Sequence, residues 1–270
     1  MAPEVRIAQA APVVLDIAPR PRSISLDAPW EWLAAGWQDV CRTPAVSLTY
    51  GAAFTVAAGA LAFMLLRLQA LPAFLPMAGG FLLLGPFLAA GLYEASRRAA
   101  RGQPARLGDI VGAWLSARGQ LGFFAIILLL AYLIWLQIAF LLLMLFVGSQ
   151  GIPPPAAFMQ ELLFTPRGLG LLVSGTAIGA ILASIVFAMS AVTIPLLMVR
   201  NIDAVTAARV SVAAVALNLK PMALWAALIA VIMAAGFATL LVGLVVAFPL
   251  IGHATWHAYE DILGPSDRDK

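Results

Sequence analysis

Only two histidines occur in this chain, His253 and His257, and they stand four residues apart. That spacing puts both imidazoles on one face of a helix, where they can chelate a single metal ion, or one of them can give a haem an axial ligand. The lone cysteine, Cys41, lies far away in sequence, so further ligands would come from Glu260 and Asp261. Trp256 and Tyr259 flank the pair and give the segment a second reading, as an amphipathic anchor at a membrane surface. No nucleophile elbow, phosphate-cradling glycine loop or zinc-protease helix is present. The expectation is a chain without catalytic residues and without a resident cofactor. A haem or divalent metal at His253 and His257 is the one chemical alternative.

The elements that must position these residues are membrane helices. Of 270 residues 63% are hydrophobic and 11% charged, against roughly a quarter charged in soluble domains. Uncharged runs extend from Thr43 to Leu66, Leu68 to Tyr93, Leu121 to Val147 and Leu169 to Val199, each long enough to cross hydrocarbon as a helix. They do not alternate as barrel strands would. The block from Pro221 to Gly252 is long for one span and short for two. Read as a hairpin turning near Gly236 to Thr239, it makes an all-α, six-helix transmembrane bundle; read as one span, it makes five.

Charge orients the bundle. With six spans, Arg67 and Arg167 alone among the 16 Lys and Arg residues lie opposite the N-terminus. The positive-inside rule then places both termini in the cytoplasm and the chain in the inner membrane. The net charge of +3 reports topology and calls for no nucleic-acid partner. Residues 1–27, broken by Pro3, Pro12, Pro19 and Pro21, read as a disordered cytoplasmic tail, with a single helical domain over 28–263 and a short polar tail over 264–270.

Three short amphipathic helices are expected on the cytoplasmic face, each just before a span: Trp30, Leu33, Trp37, Val40; Leu107, Ile110, Val111, Trp114, Leu115; and Val205, Ala208, Val212, Val215, Leu219. Each returning span carries a proline near its cytoplasmic end, at Pro86, Pro195 and Pro249. Three units of short helix plus hairpin follow from this pattern. Ionisable groups are scarce in the spans, Glu94 standing at the end of one, which argues against ion-coupled transport. Ser174, Thr176, Ser184, Ser190 and Thr193 along the fourth run would be the lining of any passive route. Gly175, Gly179 and Ala183 on the same run are spaced for close helix packing, within the bundle first.

The segment from Pro29-Trp30-Glu31-Trp32 to Tyr50-Gly51, Gly85-Pro86 with Gly91-Leu92-Tyr93-Glu94, and Gly252-His253-Ala254-Thr255-Trp256-His257-Ala258-Tyr259 together resemble a bacterial family of predicted integral membrane proteins, domain-of-unknown-function family 2189. The resemblance covers about residues 27–263. Some members carry the label cytochrome c oxidase subunit I, a role that needs histidines on several helices to hold haems and copper; two on one turn exclude it. The expected function is that of a non-enzymatic accessory, scaffold or assembly factor of a membrane complex, with the lipid bilayer and other membrane subunits as partners. A haem- or metal-binding oxidase accessory and a passive channel or lipid-handling protein are the alternatives.

Overall fold

A computed structural model describes residues 18–108, 112, 119–148 and 154–264. All regular structure among them is helical. In chain order the helices are α1 (Ala28–Arg42), α2 (Pro44–Arg67), α3 (Phe74–Leu88), α4 (Ala90–Ala100), α5 (Gln120–Val147), α6 (Pro155–Phe164), α7 (Pro166–Ser190), α8 (Thr193–Val199), α9 (Ala204–Leu217), α10 (Leu219–Ala238) and α11 (Leu244–Leu263). Proline opens α2, α6 and α7, where its missing N–H costs nothing. Thr165 and Asp203 cap α7 and α9 by accepting from the Gly168 and Thr206 amides.

Five segments are long and apolar enough to cross a membrane: Pro44–Arg67, Phe74–Ala100, Gln120–Val147, Pro166–Val199 and Leu219–Ala238. Their large side chains face outward to a degree no soluble protein tolerates. Only 6% of the most apolar stretch of α5 is buried. The protein is therefore an all-α membrane bundle, its outer surface matched to hydrocarbon rather than to water.

α10 turns back through residues 239–243, close to the expected Gly236 to Thr239. Thr239 Oγ1 donates to the Gly236 carbonyl and accepts from the Gly243 amide, and Leu240 and Leu241 take left-handed backbone angles of 53° and 71°. The sixth long helix, α11, equals α10 in length at 20 residues but carries His253 at its midpoint and His257, Glu260 and Asp261 in its second half. It is the axis of the bundle, packed against α1, α2, α4 and α10. The long helix richest in ionisable groups is thus the most enclosed one, which follows when lipid is the solvent and polar groups have to find protein partners.

The first and third units share a construction. α1 joins α2 through Thr43 alone and α9 joins α10 through Asn218 alone, with nearly equal backbone angles (φ −125°, ψ 53° and φ −120°, ψ 41°). Each hinge residue bonds through its side chain to the carbonyl four residues earlier, Asp39 and Ala214. Of the stripe expected in the middle unit, Ile110, Val111, Trp114 and Leu115 lie outside the described residues.

The prolines act differently in each returning span. The second breaks at Ala89, three residues after Pro86, and the fourth at Ala191 and Val192, just before Pro195. A broken helix frees carbonyls that lipid cannot satisfy, and neighbouring helices supply the donors: Tyr50 donates its hydroxyl to the Leu88 carbonyl, and Ser211 to the Ala188 carbonyl at 2.8 Å. Pro249 leaves α11 unbroken.

The stripe Trp30, Leu33, Trp37, Val40 divides: Trp30 and Trp37 point outward, while Val40 faces the bundle with Trp32, Gly36 and Asp39. Likewise Val205 and Val212 are exposed on α9, and its inward face is Ala204, Ala207, Ala208, Ser211 and Ala214. Large apolar groups go to lipid, and small ones let the helices approach. The tail expected over 1–27 is also shorter, since residues 22–24 are tied to the bundle; residues 1–17 lie outside the described residues, as do 265–270 of the expected C-terminal tail. The Arg22 amide donates to the Ile262 carbonyl, the Arg22 guanidinium to the Glu260 carbonyl and the Ile24 amide to Asn218 Oδ1. Asn218 Nδ2 donates back to the Arg22 carbonyl.

Candidate functional site

His253 is fully buried on α11, and both ring nitrogens meet hydroxyls: Nε2 lies 2.9 Å from Ser47 Oγ on α2, and Nδ1 lies 2.7 Å from Ser96 Oγ on α4. Ser96 donates its proton to Asp39 Oδ2 on α1 at 2.7 Å. One turn along α11, His257 Nε2 meets the same carboxylate oxygen at 2.8 Å. Four helices, remote in sequence, close on one hydrogen-bonded cluster.

The protons in this chain are fixed by counting. Ser96 has one, and it goes to the carboxylate, so His253 Nδ1 must be the donor to Ser96. The other nitrogen, Nε2, then accepts from Ser47. His257 carries its proton on Nε2, because an ionised carboxylate can only accept. Thr43 Oγ1, 3.2 Å from Ser47 Oγ, donates to the Asp39 backbone carbonyl and ends the chain.

Close backbone contact makes the geometry attainable. A Cβ on Gly36 of α1 would stand 2.7 Å from the Ala254 amide nitrogen, and one on Gly51 of α2 would stand 2.0 Å from the Val245 carbonyl oxygen. Pro249 has no N–H to offer Val245, four residues before it. The carbonyl so released lies against Gly51, where any side chain would collide with it.

Burial pushes the Asp39 carboxyl up, but hydrogen bonds from His257 and Ser96 and the nearby imidazoles outweigh it and hold the group below the ordinary carboxylate range. Arg42, mostly exposed, adds a cation 3.7 Å from Oδ1. A second buried acid, Glu94, is neutralised separately by Arg97 and Arg98 at 2.7 and 2.9 Å.

An acid does serve the two histidines, but it is Asp39, met directly by His257 and through Ser96 by His253. Of the two carboxylates expected to assist them, Glu260 Oε2 is 3.9 Å from His257 Nδ1, and Asp261 accepts from the Trp32 indole at 3.0 Å. Among the described residues no group of three or more His, Cys, Asp or Glu is arranged to hold a metal ion. Trp256 and Tyr259 are buried and pack on each other at 5.3 Å, so they are not surface anchors.

Asp39, Ser47 and Ser96 were not singled out from sequence. Asp39 sits seven residues after Trp32 and three after Gly36, on the inward face of α1. A carboxylate sharing a helical face with a glycine and an indole was the available signal. On α7 and α8, Ser174, Ser184, Ser190 and Thr193 all donate to carbonyls four residues back in their own chain. Gly179 packs on Trp135, while Gly175 faces open space, so the small-residue stripe is used internally only in part.

Residues 74–198 match the family described as predicted integral membrane protein, DUF2189. No curated protein and no solved structure matches the chain. The DUF2189 segment runs from the start of α3 into α8 and contains Pro86, Pro195, Ser96 and the Glu94 ion pairs. It is narrower than the resemblance over 27–263. Asp39, Ser47, His253 and His257 lie outside it, so the DUF2189 segment supplies one hydroxyl of the cluster and the flanking units supply the rest.

Proposed function

We propose that the protein is a non-enzymatic accessory, scaffold or assembly subunit of a larger complex in the inner membrane, with both termini cytoplasmic. One observation carries the reading: the cluster best equipped for chemistry is spent on itself. Ser47 and His253 are sealed from solvent, His253 has both nitrogens occupied, and Asp39 Oδ2 accepts from both Ser96 and His257. Such a network clamps α1, α2, α4 and α11 into one body. Meanwhile α5 and α7 offer wide apolar faces and an apolar groove of about 240 Å³ along Leu130, Ile134, Leu182 and Met189. The orientation is supported by charge, with Arg97, Arg98, Arg101, Arg200 and Arg209 gathered in the segments read as cytoplasmic.

Purification in a gentle detergent from cells at native expression levels is the test. Recovery of a stoichiometric membrane-protein partner is expected, and recovery of this chain alone overturns the reading. A reporter fused after Lys270 should read as cytoplasmic; a periplasmic signal would overturn the orientation.

A further inference from the structure

α9 carries an outward face that nothing in the bundle covers. Val205, Arg209, Val212, Ala216, Leu217, Leu219 and Lys220 are exposed there, at spacings that place them along one side of the helix and its hinge. The face is apolar with two cations, and residues 204–220 include no acid. Asp203, the nearest one, is turned into the helix start, where it accepts from the Thr206 amide. α9 leads through Asn218 directly into the membrane-crossing α10, so it lies at the edge of the hydrocarbon. α1 occupies the matching position in the first unit, and its outward face differs: exposed Trp30 and Trp37 are accompanied by exposed Asp27 and Glu31.

We propose that the outward face of α9 is a binding surface for anionic phospholipid, with Val205, Val212 and Leu219 among the acyl chains and Arg209 and Lys220 on headgroup phosphates. The charge pattern selects this occupant. Two cations with no acid between them favour a negatively charged surface over a zwitterionic one, and each basic side chain near an anionic leaflet contributes about a fivefold preference. The mixed charge of α1 supplies anchoring by its indoles without that preference.

The full chain is reconstituted in lipid nanodiscs, and photoreactive phosphatidylglycerol and phosphatidylcholine probes are compared by mapping the labelled peptides. Residues 204–220 should take the anionic probe roughly fivefold or more over the zwitterionic one, and the α1 peptide should take both about equally. Arg209→Gln with Lys220→Gln should remove the preference on α9 while leaving labelling of α1 unchanged. Equal labelling of α9 by both probes in the unaltered protein overturns the proposal, as does an unchanged preference in the double variant. Displacement of the anionic probe by inorganic phosphate would show a free-anion site and overturn the lipid assignment. None of these outcomes depends on whether a protein partner co-purifies, so the surface and the accessory role stand or fall separately.

Discussion

Asp39 Oδ2 and His257 Nε2 meet at 2.8 Å although 218 residues separate them in the chain. The contact joins the short helix that opens the bundle to the long helix that ends it, and Ser96 and His253 extend it inward. Because buried polar groups in a low-dielectric interior are costly when unpaired, each member of this chain is held by the others, and removing one exposes the rest.

Acid titrates that arrangement at Asp39. A carboxyl held below its ordinary value means that the unfolded chain binds the proton more readily, so the stabilisation is complete above the ordinary value of 3.8 and is lost as pH falls through the lower folded value. Thermal unfolding in detergent should show its midpoint falling on acidification below that value. Asp39→Asn should lower the midpoint at neutral pH and flatten the acid limb. An acid limb identical in both proteins would remove Asp39 from the account.

Ser47 and His253 should behave as a coupled pair. His253→Ala leaves two hydroxyls short of a partner beside a cavity and should cost about 2–4 kcal/mol, with Ser47→Ala alone costing about 1 kcal/mol. The double variant should cost less than the sum by about 1 kcal/mol. Strict additivity in unfolding measurements would show that the 2.9 Å contact contributes nothing.

Gly51 should be nearly irreplaceable. Its alanine variant puts a methyl against the Val245 carbonyl and should destabilise by about 1–3 kcal/mol through overpacking. Gly59→Ala, on the same helix but with nothing within 4 Å of the added methyl, should be neutral or stabilising by about 0.5–1 kcal/mol. Equal melting shifts for the two variants would contradict the close approach of α2 to α11.

The N-terminal strap rests on Asn218. Asn218→Ala deletes the bonds to Ile24 and Arg22, worth about 1–3 kcal/mol together, and should make cleavage by trypsin after Arg22 about tenfold faster or more. Unaltered cleavage would show that Arg22 is held by its bonds to Ile262 and Glu260 without help.

The solvent was legible in the sequence, and so was everything that depends on solvent alone. Runs such as Leu121 to Val147 have no soluble counterpart, so the helical membrane class follows from composition. The turn near Gly236 to Thr239 followed from the length of the last apolar block. Even the two histidines declared themselves by spacing.

What they touch was decided by tertiary structure. Hydropathy separates lipid-facing surface from the rest, but the inward faces here are small and polar residues drawn from four helices, and a pattern within one helix carries no record of its neighbour. Asp39, Ser47 and Ser96 were not among the residues that spacing or composition marked out. Only the approach of α1 and α2 to α11 across Gly36 and Gly51, reaching over most of the chain, brings an acid, two hydroxyls and two imidazoles within hydrogen-bonding distance.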